Sequence, residues 1–441
     1  MKPAAQIQAA IELLEEIQSE RRPADRMLSA YYRSRRYIGS KDKAAISETI
    51  YDVMRQKGSL SWLCNEANLA GTPRSWMILH LLSKQVDLDE FFIGDDYSPE
   101  VLSEEEAVAQ VFASRLLQTN AIETAPEAAR LNLPEWLVPL MQKSLGESFV
   151  DEMLTMQERA RLCIRVNTLK SDRQNLQVVL QGDDIETTST QYSPWGLMVH
   201  QKVSFNHLSS FKEGLFEVQD QGSQLIALVA GVKPGDKVVD FCAGAGGKTL
   251  ALAAQMENKG VIHACDVHTK RLENLAKRKK RAGVHNIQTH ILSSERDKWV
   301  KRQSGKMDVV LIDAPCTGTG TWRRSPDARW NLEMENLESL QILQANILES
   351  ASRLVKPGGR LIYATCSLLQ EENEMQVENF LSNHKSFQSG TLAEQDYLHG
   401  LEVKQGYQLS TSPTKTGMDG FFMAVLQRKA QHKEPDKDQG D

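Results

Sequence analysis

Near the middle of the chain, Val238-Val-Asp-Phe-Cys-Ala-Gly-Ala-Gly-Gly-Lys-Thr249 restricts the fold more than any other stretch. It begins apolar and without alternation, as a parallel strand buried on both faces does. Gly244, Gly246 and Gly247 then let the backbone pass close to a ligand. Leu250-Ala-Leu-Ala-Ala continues as a helix. Strand, glycine turn and helix in this order open a nucleotide-binding α/β unit.

The chain beyond this point alternates in the same way. Apolar runs at 237–241, 260–265, 287–292, 308–312, 359–363 and 421–426 read as strands. Helical patterns lie between them at 269–282, 333–355 and 371–383. Such alternation predicts an α/β domain over 236–428, with a mostly parallel sheet covered on both faces. Residues 149–235 change character: Leu162-Cys-Ile-Arg-Val, Gly196-Leu-Met-Val and Gly214-Leu-Phe-Glu-Val are strand-like, and 171–180 is helical, so a small α+β module is expected. Residues 1–148 read as a helical accessory domain, with Ile7, Ile11, Leu14 and Ile17 at helical spacing. The last segment, 429–441, is charged and almost free of apolar side chains, the composition of a disordered tail.

A chain of 441 residues, 41% hydrophobic and 25% charged, can bury a sizeable core. No apolar run approaches the ~20 residues that span a bilayer, and the N-terminus lacks a signal-peptide layout, so a cytoplasmic protein without membrane contact is expected. The six cysteines form no CxxC pair, which argues against zinc, any other metal site and a disulfide framework. A monomer is expected. The net charge is −6, but basic residues segregate in three groups. They are Arg21 to Lys43, Lys270 to Arg281, and Arg323, Arg324 and Arg329 with Trp322 and Trp330 beside them. Segregation of this kind can steer a polyanion to one face of an acidic chain, although each group alone is also what a solvated helix face looks like.

Three ligand classes compete for the glycine loop. A phosphate-binding P-loop would need glycine where Cys242 stands, and a dinucleotide fingerprint would need it where Thr249 stands. An adenosyl ligand without pyrophosphate needs only backbone proximity and a carboxylate for its ribose hydroxyls. Asp266 closes the second strand, 20 residues after Gly246, where such a carboxylate belongs. S-adenosylmethionine is the cofactor this pattern favours.

Two further strands end in Leu311-Ile-Asp-Ala-Pro-Cys316 and Leu361-Ile-Tyr-Ala-Thr-Cys366. Both cysteines fall on the sheet edge that carries the glycine loop. Cys64, Cys163 and Cys265 read as small buried hydrophobes. A thiol beside S-adenosylmethionine suggests attack on carbon 6 of a pyrimidine, which makes carbon 5 nucleophilic enough to take a methyl group. Asp313 is placed to bind the polar edge of cytosine. Residue types alone leave the roles of the two thiols interchangeable.

Asp240-Phe-Cys-Ala-Gly-Ala-Gly-Gly-Lys-Thr, Asp313-Ala-Pro-Cys-Thr-Gly-Thr-Gly and Ala364-Thr-Cys-Ser followed by Glu371-Glu-Asn-Glu resemble the RsmB/Sun (Fmu) family of RNA cytosine-C5 methyltransferases. Arg324-Ser-Pro-Asp-Ala-Arg-Trp330 and Gly417-Met-Asp-Gly-Phe-Phe422 look like its further motifs. The resemblance covers about residues 160 to 428. It implies a class I methyltransferase (Rossmann-like) sheet preceded by a small RRM-like subdomain and, over 1–148, an RNA-docking domain similar to NusB. It assigns the nucleophile to Cys366 and resolution of the adduct to Cys316. It places S-adenosylmethionine on Cys242, Ala243, Gly244, Ala245, Gly246, Gly247, Lys248 and Asp266, with Asp313 bordering cofactor and base. The family's usual acid at the end of the third strand is replaced here by Ser293 or Ser294, with Glu295 as a substitute. The RNA expected is ribosomal. Alternatives are the same chemistry on tRNA, a non-catalytic RNA-binding assembly factor, and, more distantly, a P-loop nucleotidase.

Overall fold

Apolar residues spaced three and four apart dictate helices at the start of the chain, and the helix Pro3–Glu20 buries Ile7, Ile11, Leu14 and Ile17. Local chemistry fixes where later helices begin. Thr72 caps Pro73–Ser83 by accepting from the Ser75 amide, and Ser103 and Glu106 form a reciprocal capping box on Glu104–Gln118. The computed structural model describes residues 1–392 and 398–430. Its contacts divide the chain into two units, Met1–Arg159 with Thr321–Met334, and Ala160–Gly320 with Glu335–Asp441. The tail expected at 429–441 lies, from 431 onward, outside the described residues.

The helical unit therefore contains a strip from late in the sequence. Trp322 is fully buried there and Arg329 is 1% exposed. The Arg329 guanidinium lies 4.6 Å over the Trp322 ring and donates to the carbonyls of Asn132 (2.8 Å) and Met156 (3.3 Å). Asp327 accepts from the Ala24 amide at 2.9 Å, and the Trp330 indole donates to the Met54 carbonyl at 2.7 Å. This corrects the reading of the third basic group as a surface for a polyanion. Arg323 and Arg329 are interior residues, and the Arg329 charge is spent on buried backbone carbonyls and a ring face.

The second unit opens with a small sheet of β1 (Leu162–Val166), β2 (Thr187–Ser189), β3 (Gly196–Val199) and β4 (Phe216–Val218). Their order is β2-β3-β1-β4, antiparallel throughout, with helices Arg173–Gly182 after β1 and Ser209–Lys212 before β4. That is the ferredoxin-like β-α-β-β-α-β arrangement shared with RRM domains. One face packs Ile164, Val166 and Phe216 against Leu176 and Leu180. The opposite face carries Cys163, Arg165 and Glu217, and these are buried as well. Gln224, on the helix Gln221–Ala230, donates to the Ile164 carbonyl at 3.4 Å from that side. An RRM stacks bases on this face; here the face is closed by the chain itself.

The main sheet comprises β5 (Lys237–Asp240), β6 (Val261–Asp266), β7 (Ile287–Ile291), β8 (Met307–Asp313), β9 (Val355–Thr365), β10 (Phe387–Ser389), β11 (Val403–Lys404), β12 (Gln408–Thr411) and β13 (Phe421–Arg428). The order is β11-β12-β13-β9-β8-β5-β6-β7, with β10 paired to β13. Strands β5 to β9 are parallel, as their apolar runs require, while β13 runs antiparallel to β9 and makes the sheet mixed. Apolar cores cover both faces, one around Val238, Leu252 and Ile262, the other around Val239, Val310 and Tyr363. From β5 the chain winds one way through β6 and β7, then returns to build β8 and β9 on the other side. The crevice at this reversal, outside the carboxyl ends of β5 and β8, is where open α/β sheets bind ligands. Among the described residues no helix is long and apolar enough to cross a membrane.

Candidate active site

The glycine loop leaves β5 at Asp240. Gly244 and Gly246 have φ of +55° and +83°, the left-handed region that suits glycine. A Cβ on Gly246 would lie 2.1 Å from the Leu275 side chain, so that side of the loop is filled. A Cβ on Gly244 would meet nothing within 4 Å, so the other side is open. Asp266, at the end of β6, accepts from the Gly244 amide and from the His268 amide, each at 2.8 Å. A carboxylate offers about four lone-pair sites, so two remain for ribose hydroxyls. Thr249 donates to one oxygen of Asp240 at 2.7 Å, and the other oxygen is buried with no partner. Burial, aided by the charges of Asp313 and Asp266, pushes Asp240 up to about 7. An open backbone turn, a strand-end carboxylate and an unpaired buried acceptor fit an adenosyl cofactor bearing an amino group.

The small subdomain supports this loop from behind. Arg165 of β1 donates to the Gly247 carbonyl at 3.2 Å, and Arg278 of the helix Thr269–Ala282 donates to the Ala245 carbonyl at 2.8 Å. Glu217 of β4 holds Arg278 at 2.9 Å and Arg281 at 2.6 Å. Sequence reading missed this brace, because its members lie far apart in the chain.

The two thiols predicted at strand ends are brought together. Ala314 donates to the Ala364 carbonyl at 2.8 Å, which keeps the β8 and β9 ends paired as the chain leaves the sheet. The Cys316 and Cys366 sulfurs are 3.4 Å apart, and the Cys366 amide donates to the Cys316 sulfur at 3.3 Å. Cys64, Cys163 and Cys265 are buried in their cores, as expected of small hydrophobes. The hydrogen bond to Cys366, then burial, pushes the Cys316 thiol well up. Lys248 and Asp313 pair at 2.6 Å. Burial works against the Lys248 charge, but Asp313 outweighs it and the ammonium is held above its ordinary range. The Cys366 thiol is among the groups that raise it, so Lys248 is a fixed positive charge close to that sulfur.

At the end of β7, Ser293 donates through its amide (3.0 Å) and hydroxyl (2.7 Å) to Asp297. A bond from the Trp299 amide, with these two, holds the Asp297 carboxyl down at about 2. Glu295 instead pairs with Arg296 at 3.6 Å. The carboxylate bonded to Ser293 at the expected acidic position is Asp297, a residue that no sequence motif singles out. Its four-residue reach back to Ser293 is set by the turn, not by a motif.

A family model described as 16S rRNA methyltransferase RsmB/F matches residues 227–427, and one described as the RsmF/B-like ferredoxin-like domain matches residues 133–206. The probable ribosomal RNA small subunit methyltransferase B of Synechocystis sp. is 32% identical over 300 residues, 67% of this chain and 67% of that one. The ribosomal RNA small subunit methyltransferase B of Shewanella oneidensis is 28% identical over 404 residues, 89% of this chain and 92% of the relative. The crystal structure of PH0851 shares 26% identity and a TM-score of 0.76, over 97% of this chain and 99% of that one. The methyltransferase homolog protein from Pyrococcus horikoshii shares 28% identity and a TM-score of 0.59, over 68% and 97%. Likeness of this extent, over both the small subdomain and the main sheet, is family membership: the chain belongs to the RsmB/Sun family of S-adenosylmethionine-dependent RNA methyltransferases.

Proposed function

We propose that the protein methylates carbon 5 of a cytosine in ribosomal RNA, with Cys366 as the nucleophile. The observation that carries this reading is the pair of thiols 3.4 Å apart at adjacent strand ends, on the sheet edge that also presents the glycine loop and the Lys248–Asp313 pair. Relatives named ribosomal RNA small subunit methyltransferase B favour ribosomal RNA as the substrate. When bound on residues 242–248 and Asp266, S-adenosylmethionine supplies an electrophilic methyl group.

The chain's own residues do the rest. The Cys366 thiolate adds to carbon 6, and the electron pair of the 5,6 double bond becomes available at carbon 5. Asp313 faces the ring nitrogen and exocyclic amine of the base, and Lys248 orients its carboxylate through their 2.6 Å pair. Cys316 is protonated at the outset. Once Cys366 has become a thioether, the neighbour that most raised Cys316 no longer titrates. Cys316 can then release its proton to solvent, and its thiolate takes the carbon-5 proton as the electrons of that C–H bond re-form the 5,6 double bond, the carbon–sulfur bond breaks and Cys366 leaves as a thiolate. A groove of about 630 Å³ lined by Lys170, Lys212, Lys277, Lys280 and Arg281 beside Glu213 offers a positive track for RNA phosphates.

The test uses labelled S-adenosylmethionine with separate rRNA, tRNA and ribosomal-subunit pools. Wild type should label cytosine carbon 5 in rRNA, Cys366→Ala should be inactive without adduct, and Cys316→Ala should accumulate a covalent protein–RNA band on denaturing gels. If adduct forms in Cys366→Ala and not in Cys316→Ala, the roles are reversed. Absence of label in every pool defeats the reading.

A further inference from the structure

The two thiols meet although the loops that carry them follow different strands. We propose that Glu372 is the positioning residue that sets the separation of Cys316 and Cys366; the catalytic use of that separation rests on the function proposed above. Glu372 is 0% exposed, and its carboxylate collects donors from both loops. From the residue after Cys316, the Thr317 amide donates at 2.9 Å and the Thr317 hydroxyl donates to the second oxygen. From the residue after Cys366, the Ser367 hydroxyl donates to that same second oxygen at 2.5 Å. Gln344, on the helix Met334–Ser352, donates to Glu372 at 2.9 Å and to the Pro315 carbonyl at 2.9 Å, which fixes the other flank of Cys316.

The carboxylate thus has about four lone-pair sites and four donors, two on each oxygen. Its own backbone is anchored too, since Tyr363 donates to the Glu372 carbonyl at 2.7 Å. All four donors are neutral. A buried carboxylate compensated only by neutral groups is a poor way to gain stability, because desolvating the charge costs more than desolvating an apolar or amide side chain. What it gains is geometry. A planar group with two polar ends can meet a backbone amide at one end and two hydroxyls from loops on opposite sides at the other, and both loops carry a cysteine at the next position back.

Bridging with dibromobimane, which links only neighbouring thiols, reads the separation without any substrate. Wild type is expected to bridge Cys316 to Cys366, with Cys316→Ala as the unbridged control. Glu372→Ala should fold, bridge severalfold more slowly, and lose about 100-fold in kcat for methyl transfer. Its KM for S-adenosylmethionine and for RNA should stay unchanged. Glu372→Gln should recover most of both signals, because its oxygen keeps the Thr317 amide and Gln344 while its amide serves the two hydroxyls once they turn. If Glu372→Ala does not fold, the pair Thr317→Val and Ser367→Ala removes the two hydroxyl arms and must slow bridging in the same way. A folded Glu372→Ala that bridges and methylates like wild type overturns the proposal. A wild type that bridges but methylates no RNA, beside a Glu372→Ala that bridges slowly, leaves the positioning intact and removes the reaction instead.

Discussion

Burial raises the Asp240 carboxyl, and the sign of its effect on stability follows. Its folded value is about 7 against 3.8 for an unperturbed aspartate, because burial disfavours the charge. Between those values the folded chain keeps a proton that the unfolded chain has released. Stability contributed by this residue is therefore complete below pH ~4 and is lost as pH rises to about 7, by about 1.4 kcal/mol per unit at the steepest. Asp240→Asn should flatten that part of the curve, so melting temperatures of variant and wild type should diverge as pH is raised from 5 to 7. A slope that the substitution leaves unchanged would place the titration elsewhere. Residues of this kind show how far the sequence was legible at this scale. The positions of Cys316, Cys366, Asp313 and Asp266 could be read because each sits at or just past a strand end, and that of Lys248 because it opens the helix that the glycine loop leads into. Glu372 lies within Glu371-Glu-Asn-Glu, but that motif alone gives it no role, since its partners at 317, 344 and 367 come together only in the fold. Asp297 differs: its partners Ser293 and Trp299 are close in sequence, but no motif marks the turn that joins them.

At the scale of elements, the glycine loop and the cysteine loops make opposite demands on their glycines. Gly244 is strained for any other residue but faces open space. Gly244→Ala should therefore fold at a cost of about 1–2 kcal/mol for the left-handed backbone. It should weaken S-adenosylmethionine binding by more than about tenfold in a calorimetric titration, roughly 1.4 kcal/mol or more. Gly320 lies where the cysteine loop passes Gly420, and an added Cβ would sit 2.0 Å from the Gly420 carbonyl oxygen. That neighbour is backbone and is tied back by the Gly420 amide, which donates to the Gly320 carbonyl at 2.8 Å. Gly320→Ala should cost about 1–3 kcal/mol by overpacking, seen as a lower denaturant midpoint, and should displace Cys366, whose carbonyl accepts from the Gly320 amide at 2.9 Å. If the two variants behave alike, the distinction between an open cradle and a filled corner fails. The strands β8, β9 and β13 were readable because a run of four or more buried apolar residues announces itself, and β5 to β7 because they continue the alternation of strand and helix. Strands β10 to β12 were not, being two to four residues long and fixed by pairing at the edge of the sheet rather than by their own composition.

For the whole molecule, charge separates what folds the chain from what meets its substrate. Arginines of the 321–334 strip were grouped with surface cations in the sequence because composition cannot show that a guanidinium faces carbonyls. The groove cations differ, for Lys277 and Lys280 are exposed on the helix Thr269–Ala282. Lys212, whose amine bonds the His207 carbonyl at 3.0 Å, and Lys170 complete the groove wall on the small subdomain. An acidic chain of net charge −6 repels RNA at long range, so a local positive track has to overcome that repulsion, and salt should weaken the attraction steeply. Each lysine that neutralises one phosphate contributes about 0.7 to 0.9 to the slope of log affinity against log salt. The double variant Lys277→Glu with Lys280→Glu should therefore raise the KM for RNA, reduce that slope by about 1.5, and leave S-adenosylmethionine affinity and the melting temperature as in wild type. Arg329→Met should do the reverse. It leaves the Asn132 and Met156 carbonyls buried without their donor, which costs about 1–3 kcal/mol each. It should speed hydrogen exchange in the helical unit without changing the salt slope. An unchanged slope in the lysine variant would move the RNA track away from this groove, and an altered slope in Arg329→Met would return the buried strip to the binding surface.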